Sequence, residues 1–243
     1  MKKLIAIALL VSLTSAISAQ EDGWISLFNG KDLDGWKLKN KQVQNHWSVK
    51  DGVIDCRPST HPKGDKTLWH TKSFKDFRLH AEWRIKAKKG IYPVPIVLPD
   101  GTYKRDKDGK KIVNRQPGAD SGIYLRGISK AQINIWCWPI GSGEVYGYRN
   151  GQKNAKIRAA VTPKTKADNP VGDWNIFEIT MIGDILTVVL NGQTVIDKAQ
   201  LPGIPKEGPI ALQHHGGYMP EKKQWNGASS LVQFRNIKIK PIE

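Results

Sequence analysis

From residue 24 onward, apolar and polar residues alternate over short runs, and Gly, Pro, Asn and Asp interrupt those runs. Alternation with period two is the signature of a strand whose two faces meet different surroundings, so the chain reads as nearly all β. Three tight turns stand out: Asp51-Gly52 after Trp47-Ser48-Val49, Gly183-Asp184, and Asn191-Gly192 after the run ending at Leu190. These dipeptides readily supply the positive φ that a two-residue hairpin demands. No helical stripe of useful length, internal repeat or low-complexity linker divides the chain. About a dozen short strands in one domain over residues 20–243 predict an all-β fold, two antiparallel sheets packed face to face as a sandwich or jelly roll.

One segment breaks the rhythm. Lys86 to Ala119 carries Tyr92-Pro93-Val94-Pro95, Asp100-Gly101 and the basic run Lys104 to Lys111. A loop this long is either a solvated insertion or a lid over a neighbouring site.

The other end of the argument is the first 19 residues. Lys2 and Lys3 precede an apolar run from Leu4 to Leu13, then Thr14, Ser15 and Ala16, with a small residue at Ala19. This is the layout of a secretory signal peptide, which predicts a chain starting near Gln20 in a secreted or periplasmic location. The run is shorter than the ~20 residues a spanning helix needs, so no transmembrane segment is expected after its removal. Lys and Arg number 38 against 22 Asp and Glu, a net +16 that becomes +14 once the two leader lysines are gone. That charge alone admits nucleic acid, anionic polymers or a merely solvated surface. Export argues against a nucleic-acid partner and for a glycan, and nine Trp offer flat faces that suit sugar rings. The two cysteines, Cys56 and Cys137, leave a disulfide open in that compartment, which their spacing cannot decide.

Strand parity then sorts side chains by face. In Arg78 to Ile85, Leu79, Ala81, Trp83 and Ile85 fall together and His80, Glu82 and Arg84 lie opposite. In Gln132 to Trp138, Ile133, Ile135 and Cys137 form the core side, against Gln132, Asn134, Trp136 and Trp138. Ser121 to Arg126 puts Tyr124 and Arg126 outward, and Ile210 to His215 puts Gln213 and His215 opposite Ile210 and Leu212, with His214 on the core side. If these strands are neighbours, their polar faces pool into one cleft, with amides for hydroxyls and indoles for the apolar ring face. Each group also has a structural reading. Glu82 with Arg84 or Arg126 makes an ordinary cross-strand pair, two histidines at a strand end form a hydrogen-bonding element, and the insertion can cover Trp136 and Trp138. Metal sites are weakly indicated, since HExxH and CxxC are absent and adjacent histidines on a strand point apart. A phosphate loop, a Gly-x-Ser-x-Gly elbow and a nucleotide fingerprint are absent as well.

Read in order, the motifs resemble one family. They run from Leu27-Phe28-Asn29-Gly30 with Leu33-Asp34-Gly35-Trp36 and Trp47-Ser48-Val49-Lys50-Asp51-Gly52 to Asp76-Phe77-Arg78-Leu79-His80-Ala81-Glu82-Trp83-Arg84. Asp120-Ser121-Gly122-Ile123-Tyr124-Leu125-Arg126, Gly172-Asp173-Trp174-Asn175, Leu190-Asn191-Gly192, Leu212-Gln213-His214-His215-Gly216 and Phe234-Arg235-Asn236-Ile237 follow. Together they are similar to the domain of unknown function 1080 group, described as 3-keto-disaccharide or 3-keto-glycoside hydrolases and lyases. The resemblance implies a concanavalin A-like sandwich and carbohydrate breakdown outside the cytoplasm. Two departures are visible: Lys130 stands where members often carry a Glu, and the long insertion before Asp120 is missing from many relatives.

The implied chemistry is elimination: a C3 ketone acidifies the C2 proton, a base forms the enolate, the C1 oxygen leaves, and water can add back. No pair of carboxylates flanking the bond is needed. For that chemistry the strand faces suggest His215 or Glu82 as base, Arg126 with Gln132 or Asn134 on the enolate oxygen and Glu144 as a reserve acid. The same faces offer Trp136, Trp138 and Tyr124 as platforms, with Arg84, Gln213 and His214 as further contacts to the sugar. The resemblance fixes no cofactor and leaves a divalent cation open. A non-catalytic glycan-binding module is the alternative, while a conventional glucanase of this fold expects a Glu-x-Asp-x-Glu strand that the sequence lacks.

Overall fold

The computed structural model describes residues 23–242; the leader read in residues 1–19 lies outside the described residues. In chain order the strands are β1 (Ile25–Ser26), β2 (Trp36–Leu38), β3 (Trp47–Lys50), β4 (Val53–Cys56), β5 (Leu68–Phe74), β6 (Phe77–Ile85), β7 (Ile91–Pro95), β8 (Val113–Pro117), β9 (Asp120–Leu125) and β10 (Ile128–Trp136). After two short helices, α1 (Tyr146–Arg149) and α2 (Ala155–Ala160), come β11 (Asn175–Ile182), β12 (Ile185–Leu190), β13 (Gln193–Gln200), β14 (Gly208–Leu212), β15 (Tyr218–Met219), β16 (Gln224–Trp225) and β17 (Val232–Pro241).

Turn chemistry sets the hairpins. Asp51 and Gly52 take φ of 52° and 74° between β3 and β4, and Asn191 and Gly192 take 49° and 80° between β12 and β13. Positive φ at both central residues matches the right-handed twist of the flanking strands. Two antiparallel sheets result: a back sheet in the order β13-β12-β11-β6-β17-β4-β3, with β1 added to β17, and a front sheet in the order β10-β9-β14-β5-β2. The apolar face of each strand turns between them. Leu79, Trp83 and Phe177 of the back sheet share one buried cluster with Ile123, Ile133 and Leu212 of the front sheet. Each such side chain contributes about 1.5–3 kcal/mol by leaving water, which is why the alternation, once written, fixes the faces.

The segment 86–119 is neither an irregular loop nor a detached hairpin. β7 and β8 pair with each other over Ile91↔Pro117 to Pro95↔Val113, and single bridges at Val97↔Tyr103 and Arg105↔Lys111 extend the ribbon to its tip. Its base is fitted closely. Gly90 has φ of 80°, and a Cβ there would stand 2.0 Å from the carbonyl oxygen of Gly227. Cys56 and Cys137 are both free thiols.

Candidate functional site

The outward face of the front sheet holds a cleft of about 190 Å³. Register assembles it: Gln132, Asn134 and Trp136 on β10 face Tyr124, Gly122 and Asp120 on β9. The β14 chain continues past Leu212 alongside β9, with the Gln213 amide donating to the Gly122 carbonyl at 2.8 Å. Gly122 leaves the space for this. A Cβ there would meet Gln132 Nε2 at 2.6 Å, so only glycine lets the Gln132 amide lie flat across the strand. Gln132 Nε2 donates to Gln213 Oε1 at 2.7 Å and to the Ser121 carbonyl at 3.1 Å. The two glutamines thereby hold each other, and Gln213 also bonds the Tyr124 hydroxyl, which leaves one Nε2 proton to offer.

At the end of this floor, Asp120 Oδ2 lies 3.9 Å from His215 Nδ1. The carboxylate is nearly buried while the imidazole is about one-third exposed. Burial pushes the Asp120 carboxyl up and the His215 ring opposes it, as expected for an acid taken out of water beside a basic partner. The His215 amide donates to Ser230 Oγ at 2.6 Å, and its ring meets Tyr92 edge-on at 6.4 Å. Asn134 Oδ1 is buried on the cleft wall with no hydrogen-bond partner in the protein. A buried polar atom of this kind normally has one, so Asn134 keeps an unsatisfied acceptor at the cleft wall. Two phenols complete the rim. Tyr146 is pushed up to about 12 by burial and by neighbouring Tyr103 and Tyr92, and burial likewise raises Tyr92. Both hydroxyls are therefore protonated donors at neutral pH.

Trp136 and Trp138 line the cleft but are not open platforms. Their rings stack at 3.7 Å with planes 8° apart, and Tyr92 from the ribbon covers Trp138 at 6.1 Å. Val94 joins the same cluster, and the two indoles are 2% and 3% exposed. The ribbon is thus the roof of the cleft, and the Trp pair is a wall beneath it. Parity gave the right face; what the ribbon would do to that face was not legible from alternation.

Several residues expected in the cleft stand elsewhere. β6 belongs to the back sheet, so Glu82 and Arg84 face outward on the opposite side of the molecule. There Glu82 accepts from Arg235 Nε and Asn236 Nδ2, each at 2.6 Å. Burial alone would raise its carboxyl, but the bonds from Asn236 and Arg235 prevail and hold it below the usual range. Arg84 donates to Gln233 and lies over Trp174.

Arg126 follows the end of β9 with φ of 48°, which swings its side chain off the strand's alternation. Its guanidinium is buried between loops, bonded to the carbonyls of Lys75, Gly183 and Pro205 and paired with Asp76 at 2.8 Å. Glu144 is fully buried against Arg149 rather than open to a substrate. Tyr124 shares the outward face but packs against Trp69 beyond the cleft. His214 turns inward as parity requires, and its Nε2 shares a proton at 2.9 Å with His46 Nδ1. Lys130 sits in a bulge of β10 with its ammonium over Tyr148.

The cleft also contains residues not singled out beforehand. Asp120 opens the Asp120-Ser121-Gly122 motif and shares parity with Tyr124, so alternation could have found it. Tyr92 and Tyr146 come from the ribbon and from α1, and nothing in local pattern links either to β10. Among the described residues, no group of three or more His, Cys, Asp or Glu side chains converges as a metal site would require.

A family model described as the 3-keto-alpha-glucoside-1,2-lyase-like domain matches residues 23–240. A Bacteroides thetaiotaomicron protein named 3-keto-disaccharide hydrolase is 25% identical over 257 residues, covering 91% of this chain and 79% of its own. Two Parabacteroides distasonis proteins assigned as glycosyl hydrolases share the fold in their crystal structures. One has a TM-score of 0.55 at 21% identity, covering 91% of this chain and 84% of its own. The other has a TM-score of 0.54 at 20% identity, covering 91% and 95%.

Proposed function

Because this chain belongs to the 3-keto-alpha-glucoside-1,2-lyase-like domain family, we propose that the front-sheet cleft cleaves 3-keto-glycosides by elimination followed by hydration. The observation that carries this reading is the Asp120–His215 pair, 3.9 Å apart, on a floor of amides that includes the unpartnered Asn134. His215 Nδ1 faces Asp120, which leaves Nε2 for the substrate. His215 removes the C2 proton; the electron pair moves toward the C3 ketone, and the buried Asp120 carboxylate stabilises the imidazolium that forms. The enolate oxygen is met by neutral donors, the Tyr146 and Tyr92 hydroxyls and the Gln213 amide, in a partly dry cleft where such bonds count for more. As C2–C3 enolate density collapses to a C1–C2 double bond, the C1–O bond breaks and the leaving oxygen takes the proton held by the His215 imidazolium, which restores the neutral base for the hydration step. Water adding at C1, with return of a proton to C2, completes net hydrolysis.

This assignment replaces Arg126, Glu82 and Glu144 with groups that lie in the cleft. A non-catalytic glycan-binding module is the competing outcome. The deciding experiment incubates the protein with a 3-keto-glucoside and with the unoxidised glucoside and follows aglycone release, with and without chelator. Release from the keto sugar alone, lost at least about 100-fold in His215→Ala as expected for removal of a general base, supports the reading; binding without release assigns a binding module. Loss of release on chelation would mean that a divalent cation takes part. We read the chain as exported, so protein recovered from the periplasm or medium should begin near Gln20 on N-terminal sequencing.

A further inference from the structure

A second cavity, of about 320 Å³, opens where β6 and β10 end and residues 166–171 lead toward β11. Ligand pockets usually measure roughly 300–1,000 Å³. Trp136 lines both this cavity and the cleft and is the partition between them. The inner part is apolar and aromatic. Trp83, Ile85 and Trp136 are buried there, whereas Lys88, Lys166 and Val171 stand exposed at the mouth.

Most of the polar groups in the lining are already committed. Both Asp168 oxygens accept from the Ser142 amide, at 3.2 and 2.9 Å. Asn175 Oδ1 accepts from the Asn169 amide and from Asn191 Nδ2, each at 2.8 Å, and Asn169 Nδ2 donates to the Trp174 carbonyl at 2.8 Å. Three donors are left over. Trp83 Nε1 is buried in the wall without a hydrogen-bond partner, although a buried N–H normally has one. Among the described residues, no carboxylate forms an ion pair with Lys88 or Lys166.

The lining therefore changes from one neutral donor inside, past indole and aliphatic walls, to positive charge outside. A sugar needs several converging partners, and the inner part offers one. An inorganic anion would sit among the lysines and leave the indole N–H unmet. A ring with a neutral acceptor at one end and an anionic group at the other satisfies all three donors. We infer that this cavity binds a small aromatic carboxylate, its ring against Trp83 and Trp136, a neutral oxygen accepting from Trp83 Nε1 and its carboxylate between Lys88 and Lys166. The site is separate from the cleft and independent of the reaction proposed there.

Calorimetry on the full chain tests this with 4-hydroxybenzoate as the probe. Benzoate lacks the neutral oxygen, and 4-hydroxybenzyl alcohol lacks the charge. The native chain should bind 4-hydroxybenzoate about fivefold more tightly than benzoate, for one neutral hydrogen bond, and at least about tenfold more tightly than the alcohol, for the charged contact. Two variants then locate the site. Lys88→Ala with Lys166→Ala should weaken 4-hydroxybenzoate at least about tenfold and leave the alcohol unchanged, while the mouth-filling Val171→Trp should weaken both. All three positions are exposed, so melting should not change, and the comparison of probes on the native chain stands even if a variant fails to fold. Absence of 4-hydroxybenzoate binding at millimolar concentration, equal binding of the three probes, or binding that survives both variants overturns the inference. So does binding lost only in His215→Ala, which would place the acid in the cleft.

Discussion

His214 and His215 are adjacent in the chain and occupy opposite environments. His215 opens to the cleft, while His214 is buried against His46, which in turn bonds Thr60 Oγ1 at 2.9 Å. Burial, reinforced by His46 and Lys66, lowers His214 from 6.5 to about 3. The unfolded chain therefore binds this proton across a window where the fold refuses it. Stability is complete above about pH 6.5 and declines as the pH falls, at up to about 1.4 kcal/mol per pH unit. His46, His61 and His70 are lowered chiefly by burial and act in the same direction. Urea unfolding at pH 6.5 and pH 5 should differ by about 2 kcal/mol from His214 alone. A stability that does not change over this range would mean that the imidazole is charged in the fold. The reactivity of His215 should be separable from this effect, because its neighbour in the cleft is Asp120 rather than His46.

At the scale of elements, two features hold the site's surroundings in place. Arg126 ties the end of β9 to three loop carbonyls and Asp76 at the rim of the sandwich. Arg126→Ala should cost about 2–3 kcal/mol, the scale expected when three loop carbonyls and the half-buried Asp76 carboxylate lose their charged donor. Thermal unfolding measures it, and a loss of turnover with unchanged melting would instead place Arg126 in the chemistry. The ribbon of β7 and β8 is the second feature. Since Trp136 lies beneath it, Trp136→Ala should lose about 3–5 kcal/mol of folding free energy.

Deleting Lys104 to Lys111 should leave melting nearly unchanged. That tip carries the Arg105↔Lys111 bridge, whereas the ribbon's anchorage runs through Arg149, bonded to the Gly101 carbonyl and the Tyr103 hydroxyl. A collapse in melting on deletion would show that the tip supports the roof. The even positions of β10 and the Gln213–His215 alternation were readable in the chain, because the core selects one face of each strand. The stacking of Tyr92 on Trp138 was not, because it joins residues 46 apart through a ribbon whose path no local pattern encodes.

For the whole molecule, the division between two sheets is what separates the cleft from the residues of β6. It also keeps the cysteines apart as thiols. Burial pushes Cys56 far up and raises Cys137, with Lys88 opposing the latter only weakly. Neither should react at neutral pH with a thiol reagent until the chain unfolds, and reductant should leave the melting temperature unchanged. A shift of melting with reductant would reveal a disulfide instead. Among the described residues, no helix is long and apolar enough to cross a membrane.

The sequence by itself determined the strands, their buried faces and their turns. Alternation is a local property, and Asp-Gly and Asn-Gly take the backbone angles a hairpin needs wherever they stand. It also put the β10 amides and His215 on the outward face, since parity within one strand requires no knowledge of its neighbours. Only the tertiary structure decided which outward faces share a sheet. That choice removed Glu82 and Arg84 to the back, brought Asp120 beside His215, and roofed the tryptophans with a ribbon. Burial on both sides of a strand looks the same in sequence whichever sheet supplies the cover. Pairing between distant strands is set by the summed packing of the core, which no short stretch of residues contains.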